Sequence, residues 1–138
     1  DDRLALVQGI KDGLIDVIVS DHLPEDEESK RLPFAQAATG AIGVETLLPL
    51  SLEMYHNESL PLNKIIETLT VNPAKILKIK KGSLAKGSDG DICIFDLEAP
   101  WAVQADKLKS KSKNTAIEGR KLQGKVLMTF LNGELAFS

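Results

Sequence analysis

The stretch Val17-Ile18-Val19-Ser20-Asp21-His22 decides the fold of this chain, because a short β-branched run ends there in an ionisable pair. A strand buried on both faces of a parallel sheet is continuously apolar, so we predict a strand over residues 15–20. An Asp at the carboxyl end of such a strand is costly unless a positive or proton-exchanging group meets it. Functional groups gather at this end of the strands in α/β enzymes. A structural interpretation also stays open, in which Asp21 caps the next turn through its side chain.

Helical patterns lie on both sides of this strand. A helix with Val7 and Ile10 among its apolar positions precedes it, and Gly13 ends that helix. A polar loop over residues 22–33 follows the strand, as is usual for segments that carry function. Further helical segments are predicted over 34–39, 44–55 and 61–70, and from Asn72-Pro73 with Pro73 at the first helical position.

The pattern changes near residue 81, where strand-like segments replace helical spacing. The turn Asn132-Gly133 is typical of a type I′ hairpin. Cys93 lies in an apolar run and is predicted to be a buried thiol, whereas residues 107–114 are predicted to be a loop rather than a binding patch. Strands are predicted over 92–95, 126–131 and 134–137. We therefore divide the chain into an α/β part, residues 1–81, and a β part, residues 82–138.

Composition limits the functional classes. The chain has 138 residues, of which 43% are hydrophobic and 27% charged, as in an ordinary globular domain. A net charge of -3 gives no electrostatic case for a nucleic-acid partner. The apolar runs are too short to span a membrane, and the opening residues do not resemble a signal peptide. One cysteine excludes a disulfide within the chain, so a reducing, cytoplasmic setting is the expectation.

One parallel strand with three or four helices does not close a hydrophobic core. A strand without neighbours also leaves its backbone hydrogen-bonding groups unpaired. We therefore expect this chain to be the C-terminal piece of a larger enzyme. A free-standing binding module would need a closed core, which the pattern does not provide.

Several motifs along the chain together carry a family resemblance. They are Asp21-His22-x-Pro24, Lys30, Phe34-x-x-Ala37, Gly40-x-x-Gly43-x-Glu45-Thr46-x-x-Pro49, Thr70-x-Asn72-Pro73-Ala74-x-Ile76-Leu77, Gly82-x-Leu84-x-x-Gly87-x-x-Gly90-Asp91-x-x-x-Phe95-Asp96, Trp101, Ser110-Lys111-Ser112-Lys113-Asn114-Thr115 and Gly124-x-Val126-x-x-Thr129. In this order they resemble the dihydroorotases, zinc enzymes of the amidohydrolase superfamily. The resemblance covers essentially the whole chain.

The resemblance implies an α/β fold: the C-terminal end of a TIM-like (β/α)8 metallo-dependent hydrolase barrel, with its last strand and flanking helices, followed by the last strands of a small β-sandwich. It implies reversible cyclisation of N-carbamoyl-L-aspartate to L-dihydroorotate in de novo pyrimidine biosynthesis. One or two zinc ions are implied, with most ligands upstream of residue 1, so the isolated chain is expected to be inactive. The implied partners are this small-molecule substrate, the N-terminal remainder of the enzyme, and a second copy or aspartate transcarbamoylase.

The resemblance also assigns roles to residues. Asp21 is implied to be a zinc ligand and the catalytic proton shuttle, and Thr39 and Gly40 to bind substrate mainly through their backbone. Family members carry a second His four residues after the Asp, where it contacts the substrate carboxylate. Glu25 stands at that position here, and an anionic carboxylate cannot replace that contact. Either the loop is built differently or Lys30 or Arg31 takes over.

Three other polar residues are predicted to have structural rather than catalytic roles. Adjacent residues of a strand point to opposite faces, so His22 is predicted to pack or hydrogen-bond behind Asp21 rather than bind metal. Glu45 is expected to bond to nearby backbone groups, and His56 to be solvated at a helix end.

Two related functions remain as alternatives. An allantoinase or hydantoinase would share the Asp-His-x-Pro element, although Glu45-Thr46 argues against it. A non-catalytic dihydroorotase homologue that serves as a structural partner of aspartate transcarbamoylase would lack the upstream zinc ligands. The presence of a His-x-His pair upstream would decide between an active and an inactive protein.

Overall fold

The computed structural model describes residues 2–57 and 59–138. Helices occupy the first part of this sequence and strands the last part. The α-helices are α1 (Asp2–Lys11), α2 (Glu27–Lys30), α3 (Leu47–His56), α4 (Leu62–Leu69) and α5 (Val71–Ile76). The strands are β1 (Ile92–Ala102), β2 (Lys121–Leu131) and β3 (Glu134–Phe137), and single 3-10 turns form at Val44–Thr46 and Ala105–Lys107. The helices predicted over 44–55 and 61–70 are therefore confirmed as α3 and α4.

The strands form an antiparallel sheet in the order β1-β2-β3. Asn132 and Gly133 join β2 to β3 with φ values of 52° and 83°. Two successive positive φ values define the type I′ turn, so the predicted hairpin is confirmed. β1 and β2 are longer than predicted because pairing resumes beyond an irregularity between Asp96 and Pro100. A bulge of this kind accommodates a residue that has no N–H to donate.

Two clusters of apolar side chains form the core. Ile42, from the helical part, is buried with three residues of the β part: Val103, Leu108 and Leu122. The second cluster contains Ile10, Leu60 and Ile65, with Ile15 and Ile18 packed against it. Because the first cluster draws on both parts of the chain, they pack as neighbours. The division at residue 81 stays a prediction.

The strand predicted over residues 15–20 does not form. Among the described residues near this segment, the β-pairing is limited to a single parallel bridge between His22 and Ala41. The backbone N–H of Ile18 donates to the carbonyl of Thr68 in α4, at 3.2 Å, and not to another strand. Val19 is 71% exposed. A parallel strand needs neighbours to accept its hydrogen bonds and to cover both its faces. The described residues place no ladder partner beside this one.

Three local predictions in the helical part are also wrong. Residues 34–39 form a turn rather than a helix, in which the N–H groups of Gln36 and Ala37 both donate to the carbonyl of Pro33. The loop predicted over 22–33 contains the short helix α2. Pro73 is the third residue of α5 rather than the first. That position is tolerated because the whole first turn of a helix lacks intrahelical acceptors for its N–H groups.

The predictions for Cys93 and His56 are wrong as well. Cys93 is exposed, because the described residues leave its face of the β1–β2 pair uncovered. Partial burial still raises the pKa of its thiol. The Nε2 atom of His56 is shielded from solvent and lacks a hydrogen-bond partner among the described residues, whereas the ring was predicted to be solvated. The ring instead stacks edge-on against Tyr55, with 5.3 Å between ring centroids.

The helices in the described ranges are all too short or too polar to cross a membrane.

Candidate functional site

Asp21 follows directly on the segment that was predicted to be a strand. Its φ of 44° lies in the left-handed region, which Asp and Asn adopt more readily than other non-glycine residues. The residue is exposed and lines an open groove of about 540 Å³ between residues 18–21, the 40–43 segment and α3. The backbone turn therefore places the carboxylate at a groove rather than in a packed interface.

His22 attaches the 40–43 segment to this turn. Its Nδ1 accepts hydrogen bonds from the backbone N–H groups of Gly43 at 3.0 Å and Val44 at 3.4 Å. The N–H of Leu23 donates to the carbonyl of Ala41 at 3.0 Å. An accepting Nδ1 carries no proton, so in this arrangement the hydrogen of the ring is on Nε2. The hydrogen bonds predicted for His22 are confirmed, and the prediction that His22 does not bind metal stays a prediction.

Two glycines allow this close approach. A Cβ on Gly40, whose φ is 113°, would lie 2.7 Å from the side chain of Leu23. A Cβ on Gly43 would lie 2.8 Å from the carbonyl oxygen of Ser20. The sequence Gly40-x-x-Gly43 is therefore required for two backbone segments to lie side by side.

A loop from the β part holds the other side of the 40–43 segment. The backbone N–H of Ile42 donates to the carbonyl of Asn114 at 3.1 Å, and the side-chain amide of Asn114 donates to the carbonyl of Gly40 at 3.2 Å. The carboxylate of Glu45 accepts from the N–H groups of Lys109 at 2.9 Å and Ser110 at 3.0 Å. Glu45 does bond to backbone, as predicted, but its partners lie more than 60 residues later in the chain.

The sequence reasoning did not place this loop at the site. Of residues 107–114, Lys107 ends the 3-10 turn and residues 108–114 form a loop, as predicted. The motif from Ser110 to Thr115 supported the family resemblance but received no role. The Asn within this polar loop motif is the signal that could have indicated a contact with another segment, because Asn side chains bond readily to backbone groups.

Lys30 and Arg31 have different surroundings. The ammonium group of Lys30 donates to the carbonyls of Ala38 at 2.6 Å and Gly40 at 3.0 Å. Arg31 pairs with Glu27 and lies 3.5 Å from Glu28. Lys30 therefore holds the loop together, whereas Arg31 is an exposed cation with exposed partners. Their predicted contact with substrate stays a prediction.

Glu25 and Thr39 complete the set of predicted residues. The N–H of Glu25 donates to the side-chain oxygen of Asn114 at 3.4 Å, and its carbonyl accepts from the Ser112 hydroxyl at 2.6 Å. Glu25 lines an open, charged groove of about 610 Å³ together with Lys30, Arg31, Lys111 and Lys113. Thr39 is exposed. The structure thus brings Glu25, Lys30 and Gly40 together around Asn114, with Asp21 on the adjoining segment.

The chain supplies few metal-binding groups. Residues 2–57 and 59–138 contain no cluster of three or more His, Cys, Asp or Glu side chains that could hold a metal ion. Catalytic zinc sites use about three protein ligands. The exposed carboxylate of Asp21 fits one such ligand, and the rest of a zinc site would have to come from elsewhere.

Comparison with known proteins places this geometry in context. The profile of the amidohydrolase family matches residues 1–136. A protein named dihydroorotase from Ehrlichia chaffeensis is 45% identical over 136 residues, which is 99% of this chain and 30% of the relative. A dihydroorotase from Wolbachia (Drosophila simulans) is 44% identical over 138 residues, covering 31% of its length, and one from Aquifex aeolicus is 41% identical over 137 residues, covering 32%.

Solved structures share the fold. An L-hydantoinase (dihydropyrimidinase) from Arthrobacter aurescens is 32% identical with a TM-score of 0.86, covering 94% of this chain and 30% of that one. A dihydropyrimidinase from Brevibacillus agri is 23% identical with a TM-score of 0.90, covering 96% and 30%. The chain therefore spans about a third of the length of the proteins it matches.

Proposed function

Because the chain belongs to the amidohydrolase family, we propose that it is part of a dihydroorotase that interconverts N-carbamoyl-L-aspartate and L-dihydroorotate in pyrimidine synthesis. The observation that carries this proposal is the 41–45% identity, over almost the whole chain, to proteins named dihydroorotase. The solved hydantoinases and dihydropyrimidinases share the fold at only 23–32% identity. A cyclic amide is the substrate class common to both groups.

The proposed parent enzyme explains the unpartnered segments of the chain. In this proposal residues 1–81 are the C-terminal end of a β/α barrel and residues 82–138 are strands of a small β-sandwich. The exposed side chain of Val19 supports it, since a residue of a barrel strand is covered only by the neighbouring elements. The N-terminal remainder of the protein would supply them.

Asp21 is the residue proposed to do chemistry. Its carboxylate is exposed at a groove and suits one ligand position of a zinc ion, of which one or two would be held mainly by residues outside this chain. When bound, zinc supplies a more acidic water and a polarised carbonyl. In ring opening, a water oxygen adds to the ring carbonyl carbon and the C–N bond breaks. Asp21 accepts the proton of the water and delivers it to the departing nitrogen.

Substrate binding is proposed for the segment beside Asp21. Thr39 and Gly40 would contact substrate through backbone groups, and Glu25 stands where the family has a carboxylate-binding His. Of the two cations predicted to take over this contact, Arg31 is the better candidate for the substrate carboxylate, because Lys30 already donates to two backbone carbonyls. A guanidinium also matches a carboxylate with two parallel N–H groups.

The proposal extends to the setting of the enzyme. We propose a cytoplasmic protein, consistent with a single cysteine, that works as a homodimer or beside aspartate transcarbamoylase. Size measurement of the purified full-length protein, with and without aspartate transcarbamoylase, would decide between these assemblies.

An activity comparison tests the proposed function. The full-length protein, purified with zinc, should hydrolyse L-dihydroorotate with a kcat/KM at least tenfold above its values for hydantoin and dihydrouracil. A preference for hydantoin or dihydrouracil would make the protein a hydantoinase. No turnover of any of the three would favour a non-catalytic homologue with a structural role.

Asp21→Asn tests the role of the carboxylate. The amide keeps the shape but neither accepts and returns a proton nor ligates zinc well. The variant should lose a factor of about 10² to 10⁴ in kcat. Zinc content measured on the same sample separates lost proton transfer from lost metal. Near-normal turnover would leave Asp21 as a structural cap of the turn.

A further inference from the structure

Asn114 is at the centre of contacts between segments far apart in sequence. Its side-chain amide donates to the carbonyl of Gly40, 74 residues away, at 3.2 Å, and its own carbonyl accepts from Ile42 at 3.1 Å. Its side-chain oxygen accepts from the N–H of Glu25 at 3.4 Å and contacts the hydroxyl of Ser112. Asn114, a partly buried residue of the β part, thus bonds both to the loop that contains Glu25 and to the 40–43 segment.

These contacts control the position of the 40–43 segment. On one side, Ala41 and Gly43 bond to Leu23 and His22, next to Asp21. On the other side, Asn114 holds residues 40 and 42 through its side chain and its backbone. Residues 40–43 therefore lie between the turn that carries Asp21 and the loop that carries Asn114.

We propose that Asn114 is a positioning residue of the active site, which holds the backbone of residues 40–43 in register with the turn at Asp21. It acts through Gly40 and touches neither substrate nor metal. The inference rests on the proposed function, because it assumes that the Gly40 segment binds substrate. Its physical basis is that the Gly40 carbonyl accepts two side-chain donors, of which Lys30 belongs to the neighbouring loop and Asn114 alone, among the described residues, ties residues 40–43 to the β part by hydrogen bonds.

Two substitutions separate this contact from general loop stability. Asn114→Ala removes all side-chain bonds, whereas Asn114→Asp keeps the oxygen that accepts from Glu25 and Ser112 and loses the donor to Gly40. The aspartate oxygen would also repel the Gly40 carbonyl. Asn63→Ala, an exposed position of α4 remote from these contacts, is the matched control.

The full-length enzyme is assayed with L-dihydroorotate, and amide hydrogen exchange is followed in residues 40–43. Losing a hydrogen bond to a backbone carbonyl is worth about a fivefold to thirtyfold change in an equilibrium. Both Asn114 variants should therefore raise KM about fivefold to thirtyfold, change kcat less than threefold, and speed exchange at Ile42. Asn63→Ala should change none of these.

The outcomes distinguish this inference from the proposed function. An Asn114→Asp variant with unchanged KM and exchange would overturn the positioning role, because the Gly40 contact would then not matter. A fall in kcat at constant KM in both variants would also contradict it. If the unsubstituted protein does not turn over dihydroorotate, the proposed function fails, and the exchange rate at Ile42 still decides whether Asn114 positions the segment.

Discussion

Lys30 and Arg31 are adjacent in sequence but differ in what they contact. Lys30 is partly buried and bonds to the carbonyls of Ala38 and Gly40, so its charge is used inside the loop. Arg31 pairs with Glu27 and Glu28, and all three side chains are largely exposed. Exposed ion pairs contribute little to stability, since water solvates both partners well in the unfolded chain. The loop therefore needs Lys30, whereas Arg31 is available to a ligand.

Substitution of each cation in the full-length enzyme should reveal this difference. Arg31→Ala is expected to raise KM for dihydroorotate about tenfold or more, with little change in kcat or melting temperature. This is the result expected when a contact is lost that binds the substrate and the transition state equally well. Lys30→Met should lower the melting temperature as well, because the carbonyl of Ala38 loses its side-chain donor and that of Gly40 loses one of two. Arg3→Ala in α1 serves as the exposed control. A KM unchanged by Arg31→Ala would exclude it as the carboxylate-binding residue.

At the scale of elements, residues 90 and 91, just before β1, hydrogen-bond to the turn of the β2–β3 hairpin. The carboxylate of Asp91 accepts from the N–H of Asn132 at 2.8 Å, and the N–H of Gly133 donates to the carbonyl of Gly90 at 2.9 Å. Lys81 pairs with Asp91 and, at 2.8 Å, with Asp89. The hydrogen bond from the Asn132 N–H, followed by the hydrogen bond from the Lys81 ammonium, holds the pKa of Asp91 below its ordinary value.

This lowered pKa predicts a pH-dependent contribution to stability. A carboxyl whose folded pKa is lowered stabilises the fold above its unfolded pKa of about 3.9, and the contribution is lost as pH falls through the folded value. Asp91→Asn should therefore lower the melting temperature at pH 7, and the difference from the unsubstituted protein should shrink below about pH 4. Asp106→Asn, at an exposed position without such contacts, is the control. A difference that is constant from pH 7 to pH 3 would contradict the assignment.

At the scale of the whole molecule, α3 packs directly on β2. Gly124 of β2 has a φ of 100°, and a Cβ there would lie 2.5 Å from Leu52 Cδ1. Leu52 is fully buried, so its side chain has little room to move away. Nη2 of Arg120 adds an ion pair to Glu53 of α3 by donating to both carboxylate oxygens, at 2.8 and 2.7 Å. The helical and β parts therefore depend on each other for packing.

Gly124→Ala tests this dependence with a control built into the chain. Gly119 also has a left-handed φ, 75°, but an added Cβ there meets nothing within 4 Å. Both substitutions pay a backbone strain of about 1–2 kcal/mol, and Gly124→Ala adds overpacking of about 1–3 kcal/mol. The midpoint of urea denaturation should be lower for Gly124→Ala than for Gly119→Ala. Equal midpoints would show that the contact between α3 and β2 yields easily.

Residues 1–138 expressed alone should associate in solution. Strands β1 and β3 are edges of the described sheet, and apolar side chains such as Ile94, Leu135 and Phe137 are 43%, 56% and 39% exposed. Unpaired edges and uncovered apolar faces promote association. Sedimentation velocity at micromolar concentration should show dimers or larger species, and Leu135→Lys should reduce them. A compact monomer would argue against the proposal that further strands cover this sheet.

The local pattern of the sequence determined much of this protein. Apolar spacing located α3 and α4, and Asn132-Gly133 located the hairpin, because each signal depends on neighbours a few residues apart. The motif from Asp21 to Thr46 also indicated the family. Tertiary structure alone decided the rest. The segment 15–20 forms no strand without neighbours to pair with, Cys93 is exposed on an uncovered face, and Asn114 reaches Gly40 across 74 residues. These features depend on which distant segments meet, and no local pattern encodes that meeting.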